Sequence, residues 1–212
     1  MKTKLVTSFI TGLSMIVLAG VASQALAQMG PNPNEVFIRD IQYRGTGCPG
    51  GTVGSNISTD AKAFTLLFDS FVAESGPGIP LSAGRKSCQL LVDMRFPQGW
   101  SFSLFSVDYR GYMNLERNTT GEISSTYFFQ GQMSTPVFKK TNVRGPVSQD
   151  FHIRDTVGLD ATVWSPCGAS RALNINTSIA TRAGMGTSAM IGVDSISGEL
   201  TQVYGIQWRR CR

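Results

Sequence analysis

Apolar and polar residues alternate with a period of two through most of this chain, the pattern of strands with one buried face. From Cys88 onward Leu90, Val92, Met94 and Phe96 fall on one side, with Gln89, Asp93 and Arg95 on the other. Pro97-Gln98-Gly99 then predicts a turn. In residues 105–116 the odd positions Phe105, Val107, Tyr109, Met113 and Leu115 are expected inside, and Ser106, Asp108, Arg110, Tyr112, Asn114 and Glu116 outside. Phe102 and Leu104 carry the opposite parity, so a β-bulge near Leu104-Phe105 is expected to switch the register. Asn118 to Gly121 reads as a turn into a strand whose Ile123, Tyr127 and Phe129 share a face. Leu173, Ile175, Thr177 and Ile179 form another set, opposed by Asn174, Asn176 and Ser178. Residues 64–71 are apolar on both faces, which predicts a central strand. Residues 190–196 and 200–211 are expected to pair as a hairpin across Ser197-Gly198-Glu199.

No window carries a long stripe of period 3.6, and Gly-Pro and Ser-Pro pairs punctuate the strands. The pattern predicts an all-β fold, an antiparallel β-sandwich, jelly-roll-like or immunoglobulin-like, of about eight to ten strands. A β-barrel is the alternative, because strand count alone does not decide closure.

The first 27 residues break this pattern. Lys2 and Lys4 precede an apolar run, and Ala25-Leu26-Ala27 places small residues where signal peptidase reads, so a secretory signal cleaved before Gln28 is expected. A membrane anchor is the rival reading. Thr7, Ser8, Thr11, Gly12 and Ser14 dilute the run, and no basic stop-transfer cluster follows. Cleavage leaves 185 of 212 residues without a further membrane span: an N-terminal extension with the first strand over 28–46, and a single domain over 47–212. A domain of that size buries about 70% of its unfolded surface. With 42% hydrophobic and 16% charged residues, disordered, fibrous and polytopic membrane classes are excluded.

Loss of Lys2 and Lys4 lowers the formal net charge from +5 to +3. The basic residues are scattered in pairs, Arg85-Lys86, Lys139-Lys140 and Arg209-Arg210, and do not form a nucleic-acid footprint. All four cysteines, Cys48, Cys88, Cys167 and Cys211, follow the signal, and an even count in an exported chain reads as two disulfides. Three connectivities are possible. Spacing favours Cys48–Cys88 and Cys167–Cys211, one in each half. No two cysteines have the close spacing of a zinc site, and no cofactor motif is present.

The candidate chemistry is sparse. His152, the single histidine, is expected to face outward between the buried pair Phe151 and Ile153, and no nucleophile signature accompanies it. A carbohydrate-active hydrolase would need two carboxylates, for which Asp69 with Glu74 and Asp108 with Glu116 are the candidates. Asp108-Tyr109-Arg110-Gly111-Tyr112 is more informative. Asp108, Arg110 and Tyr112 share the outward face, where an acid, a guanidinium and a phenol in a row could bind a glycan or an extracellular protein. Gly111 is expected to admit a close chain segment. Trp100 and Trp164 adjoin turns and are expected as semi-exposed platforms, whereas Trp208 shares the parity of Tyr204 and Ile206 and is expected in the core. Asn56, Asn118 and Asn176 begin Asn-x-Ser/Thr sequons, which would mark surface positions in a glycosylating host.

Gly47-Cys48-Pro49-Gly50-Gly51-Thr52, Arg85-Lys86-Ser87-Cys88-Gln89-Leu90, Pro97-Gln98-Gly99-Trp100 and Asp108-Tyr109-Arg110-Gly111-Tyr112 occur in that order. Trp164-Ser165-Pro166-Cys167-Gly168, Leu173-Asn174-Ile175-Asn176 and Trp208-Arg209-Arg210-Cys211 follow. Together they resemble the exported family catalogued as domain of unknown function 4360. The resemblance implies a small secreted domain with four placed cysteines and transfers no catalytic residue. The expected product is a secreted protein, extracellular, periplasmic or at the cell surface, that binds a glycan or protein without catalysis. The alternatives are the hydrolase and a purely structural envelope or matrix component.

Overall fold

A computed structural model describes residues 30–131, 137–157, 163–167, 172–192 and 200–211; the expected signal segment and the expected 197–199 turn lie outside them. Among the described residues, twelve strands alternate with turns: β1 Phe37–Arg44, β2 Val53–Ile57, β3 Ala63–Phe68, β4 Ala73–Ser75, β5 Arg85–Arg95 and β6 Trp100–Leu115 in the first half. The second half holds β7 Thr120–Phe129, β8 Val137–Arg144, β9 Val147–Thr156, β10 Leu173–Arg182, β11 Ala189–Gly192 and β12 Leu200–Arg210. They form two antiparallel sheets with open edges, so the fold is a β-sandwich and not a closed barrel. The smaller sheet has the order β1-β5-β10-β7-β8. The larger runs β2-β3-β12-β6-β11-β4, with β9 on the other edge of β6.

The period-two reading places the core correctly. Leu90, Val92 and Met94 on β5, Ile123, Tyr127 and Phe129 on β7, and Leu173, Ile175 and Ile179 on β10 are all buried between the sheets. β3 lies between β2 and β12, as its apolar faces predicted. Phe102 sits at the centre of an aromatic group, with ring centroids 5.4 Å from Phe96, 5.0 Å from Phe129 and 5.6 Å from Trp208.

The bulge is present, and it corrects one position. Gly205 pairs with Ser106 and Ile206 with Leu104, which leaves Phe105 as the extra residue of β6. Phe105 is therefore extruded and 45% exposed, not inside as strict alternation predicted. Its ring covers Gly205, where a Cβ would come within 2.7 Å of the ring.

Among the described residues, β11 and β12 do not pair with each other as the expected hairpin required. β11 and β12 lie end to end along the same edge of β6, with Gly192 opposite Tyr112 and Thr201 opposite Arg110. Both run antiparallel to the sixteen-residue β6, which is long enough to seat two strands in line. The junction depends on Gly111, since a Cβ there would come within 2.3 Å of the Gly192 carbonyl oxygen.

A polar bridge crosses the core between the sheets. Gln202 Nε2 and Ser125 Oγ both donate to Thr177 Oγ1, each at 3.0 Å. Tyr204 donates its hydroxyl to Gln202 Oε1, and the Tyr109 and Tyr127 hydroxyls share a hydrogen bond. Burial pushes the Tyr109 phenol up to about 12 and raises Tyr127 and Tyr204 as well. All three stay neutral and serve as hydrogen-bonding groups. Such satisfied interior networks add little net energy but penalise any packing that would leave a member unpaired.

Both disulfides join the pairs that spacing favoured. Cys48–Cys88 ties the turn after β1 to β5, and Cys167–Cys211 ties the 163–167 segment to the end of β12. That segment continues the edge of β6 beyond β9. Ser165 N–H donates to the Phe102 carbonyl at 2.8 Å, and the Ser101 and Ser103 hydroxyls donate to the Ser165 and Val163 carbonyls at 2.6 Å.

Candidate functional site

The sheets present two outer faces, and the sequence motif lies on that of the larger. There Asp108, Arg110 and Tyr112 of β6 stand opposite Arg154, His152 and Asp150 of β9. Alternation sends Asp108 outward, but its neighbours cover it to 4% exposure. Arg154 holds its carboxylate bidentately at 2.8 and 2.9 Å, and His152 Nε2 lies 2.7 Å from Oδ1. The hydrogen bonds from Arg154 outweigh the burial that opposes them, and His152 adds to them. Together they hold the Asp108 carboxyl below its ordinary value. The Tyr112 hydroxyl is bonded to Ser148 Oγ at 2.9 Å, while Arg110 remains exposed. His152 faces outward as expected, and Phe151 is buried behind it.

This cluster has a stability consequence. A depressed native pKa stabilises the fold above the unfolded value, here 3.8, and that contribution is lost as the pH falls through the lower native value. Asp108→Asn is expected to cost about 1–3 kcal/mol at pH 7 by weakening charge-assisted bonds to a covered acceptor. Urea unfolding of both proteins across pH 2–7 should show the difference shrinking only at the acid end (~pH 4 and below).

The tryptophans divide differently from the expectation. Trp100 is buried at 5% exposure, and Arg210 stacks on it at 4.3 Å, so it is not a semi-exposed platform. Trp164 is half-buried under Arg209 at 4.2 Å. Through these cation–π contacts Trp164 holds the C-terminal strand against the segment bearing Cys167, and Trp100 holds it against the start of β6. Trp208 packs against the core as its parity predicted, and its Nε1–H donates to the Ala61 carbonyl at 2.8 Å.

The Asp108–Glu116 pair is separated. Asp108 and Glu116 lie eight residues apart along β6 and the turn after it, about 27 Å at strand rise, against the ~5–9.5 Å that glycoside hydrolysis needs. The Glu116 carboxylate accepts the Ser188 N–H at 2.9 Å. Asp69 and Glu74 are exposed on either side of the buried Phe71. Among the described residues, no three His, Cys, Asp or Glu side chains converge as a metal site would require.

The outer face of the smaller sheet carries a concave surface. Two adjoining depressions of about 630 and 540 Å³ share Arg44, Gln89 and Asn176 and form one groove across the strands. Strand register builds its floor in rows. One row runs Gln42, Leu91, Asn174, Phe128 across β1, β5, β10 and β7. The next runs Arg44, Gln89, Asn176, Thr126, Phe138 and reaches β8. Ser87, Ser178 and Ser124 form a third. Four inter-strand spacings make the middle row about 19 Å long.

These side chains are placed by the same alternation that builds the core, being the opposite members of each strand. Ser124 and Ser178 satisfy each other at 2.8 Å, and Arg44 Nε donates to Gln89 Oε1 at 3.1 Å. Among the described residues, no side-chain hydrogen bond engages the half-buried amides of Asn174 and Asn176. Phe138 is 60% exposed at the rim. Amides, hydroxyls and an aromatic in a shallow groove are the groups that hydrogen-bond a polyhydroxylated chain and stack on its apolar ring face. The sequence signal was the set Asn174, Asn176, Ser178 opposite an apolar strand face. It lacked any indication that Gln89, Thr126 and Phe138 would align with it, because register between distant strands is not written locally. Of the sequons, Asn56 lies exposed on β2, Asn118 lies exposed in the turn before β7 with φ 62°, and Asn176 lies in the groove floor.

Fold and bridges define a disulfide-stabilised antiparallel β-sandwich of the kind found in oxidising compartments. The chain belongs to the domain of unknown function 4360 family, whose model matches residues 34–211. An uncharacterized secreted protein of Arthroderma benhamiae is 41% identical over 182 residues, covering 85% of this chain and 74% of the relative. Among solved structures, TmCBM61 in complex with β-1,4-galactotriose aligns at TM-score 0.30 and 9% identity, over 82% of this chain and 90% of that one. The enzymatically active domain of bacteriophage CBA120 tailspike protein 4 aligns at TM-score 0.27 and 11% identity, over 86% of this chain and 21% of that one. Scores this low carry no inference about fold or function.

Proposed function

We propose that this is a secreted, non-catalytic glycan-binding β-sandwich whose binding surface is the outer face of the smaller sheet. The supporting observation is the groove itself, with the Asn174 and Asn176 amides unengaged on its floor among the described residues and Phe128 and Phe138 beside them. Ordering two amides and an aromatic in advance reduces the entropic cost of holding a flexible sugar chain. The Asp108, Arg110 and Tyr112 face stands second. Arg154, His152 and Ser148 already engage two of its three members, which leaves Arg110 to a partner.

The test is a glycan-array and partner-capture screen with oxidised residues 28–212. Binding of a glycan without turnover is the expected result, and Phe128→Ala with Asn176→Ala should weaken it at least ~10-fold, the equivalent of about 1.4 kcal/mol. Undiminished binding by that double variant, together with loss in Arg110→Ala, would move the site to the larger sheet. Turnover abolished by Asp69→Asn would replace the reading with the hydrolase.

A further inference from the structure

We propose that the groove is built for an acidic glycan, one bearing carboxylate or sulfate groups along its length, with Arg44 and Arg85 as the groups that read the charge. This rests on the glycan-binding reading and specifies its ligand. Among the described residues, the lining of the two depressions contains Arg44 and Arg85 and no Asp or Glu. Of the acids on the same outer face, two are paired with cations, and the third, Asp40, lies one row beyond Gln42, outside the lining, where it accepts a hydrogen bond from Gln42 Nε2 at 3.1 Å. Glu122 is paired with Lys140 at 2.8 Å, and Asp93 with Arg39. Among the described residues, the groove therefore presents two guanidinium groups without a counter-charge in its lining.

Their geometry suits repeated charges. Arg44 lies on the edge strand β1 opposite Gln89, and Arg85 lies four residues from Gln89 along β5. At strand rise the two rows are about 13 Å apart, so they would meet acidic groups on separate sugar units rather than one anion. A guanidinium has five N–H donors in a rigid fork. Among the described residues, one bond from each is used inside the protein, to Gln89 at 3.1 Å and to Ser178 at 3.3 Å. Those two bonds anchor the side chains over the groove and leave the remaining donors for carboxylate or sulfate oxygens, which accept them bidentately. Asn176 and Thr126 lie in the Arg44 row, Ser178 and Ser124 lie between the two rows and Asn174 lies one row beyond Arg44, and these groups would take the hydroxyls of the same chain.

The experiment uses two matched pairs of polymers with oxidised residues 28–212. Polygalacturonate is compared with its fully methyl-esterified form, and a sulfated galactan with its desulfated form, by calorimetry or affinity electrophoresis at low and high salt. At least one acidic member is expected to bind ~10-fold or more tighter than its neutral partner, with the gap narrowing as salt screens the charges. The pair that shows the gap distinguishes carboxylate from sulfate. Arg44→Gln with Arg85→Gln should remove the preference while leaving the unfolding midpoint unchanged, since both side chains are exposed. Equal binding within both pairs, or preference for the neutral members, overturns the acidic-ligand inference and leaves glycan binding standing. A preference that survives in the double variant overturns the role of the arginines. Binding to no member of either pair also overturns the inference, and the glycan array then judges the broader reading separately.

Discussion

Phe102→Ala is expected to lower the unfolding free energy by about 3–5 kcal/mol, whereas Phe105→Ala, three positions along the same strand, should change it by no more than ~0.5 kcal/mol. Phe102 is fully buried and touches the rings of Phe96, Phe129 and Trp208, which belong to both sheets. Truncation would open a cavity that three other rigid rings cannot close. Phe105 is the residue the bulge pushes out, and its ring lies over Gly205 at the surface. Urea titration of the two variants under oxidising conditions measures the difference. Comparable losses would mean that Phe105 is inside, and the register shift in β6 would then be wrong.

Removing either disulfide is expected to cost about 4 kcal/mol in the chain-entropy model, because each closes a loop of similar length. The bridges span 40 and 44 residues. They should nevertheless differ in how they open. Cys48 and Cys88 are both 1% exposed, so thiolate attack requires local unfolding around β5. Cys167 is exposed and Cys211 half-buried, so that bridge is accessible in the folded protein. Stepwise reduction with alkylation and peptide mapping should label Cys167 and Cys211 first. Cys48 and Cys88 should follow only under conditions that also unfold the domain. Simultaneous labelling of all four in the folded protein would contradict the burial.

The residues that gave the fold away were those with a one-sided environment. Leu90, Val92 and Met94, or Leu173, Ile175 and Ile179, alternate because one face of each strand meets the core. The parity break at Phe102 and Leu104 announced the bulge for the same reason. What failed was pairing. The apolar run after Met190 and the Ser197-Gly198-Glu199 motif read as a hairpin, yet β11 and β12 share one edge of β6 in line. No local residue records that β6 is long enough to hold both. Asp108 failed similarly. Its position on the outer face was legible, but its burial comes from Arg154 and His152, more than forty residues away.

The sequence by itself determined the class of fold, the positions of most core side chains, the bulge and the two favoured disulfides, because alternation and cysteine placement are local or nearly local properties. Only the tertiary structure decided which polar residues share a surface. Gln89, Asn176, Thr126 and Phe138 come from four strands, each with its own alternation. Hydrogen-bond register alone aligns them into a single row. A one-residue slip in any of those pairings would turn that member toward the core, so the groove is a property of the assembled sheet rather than of any one segment.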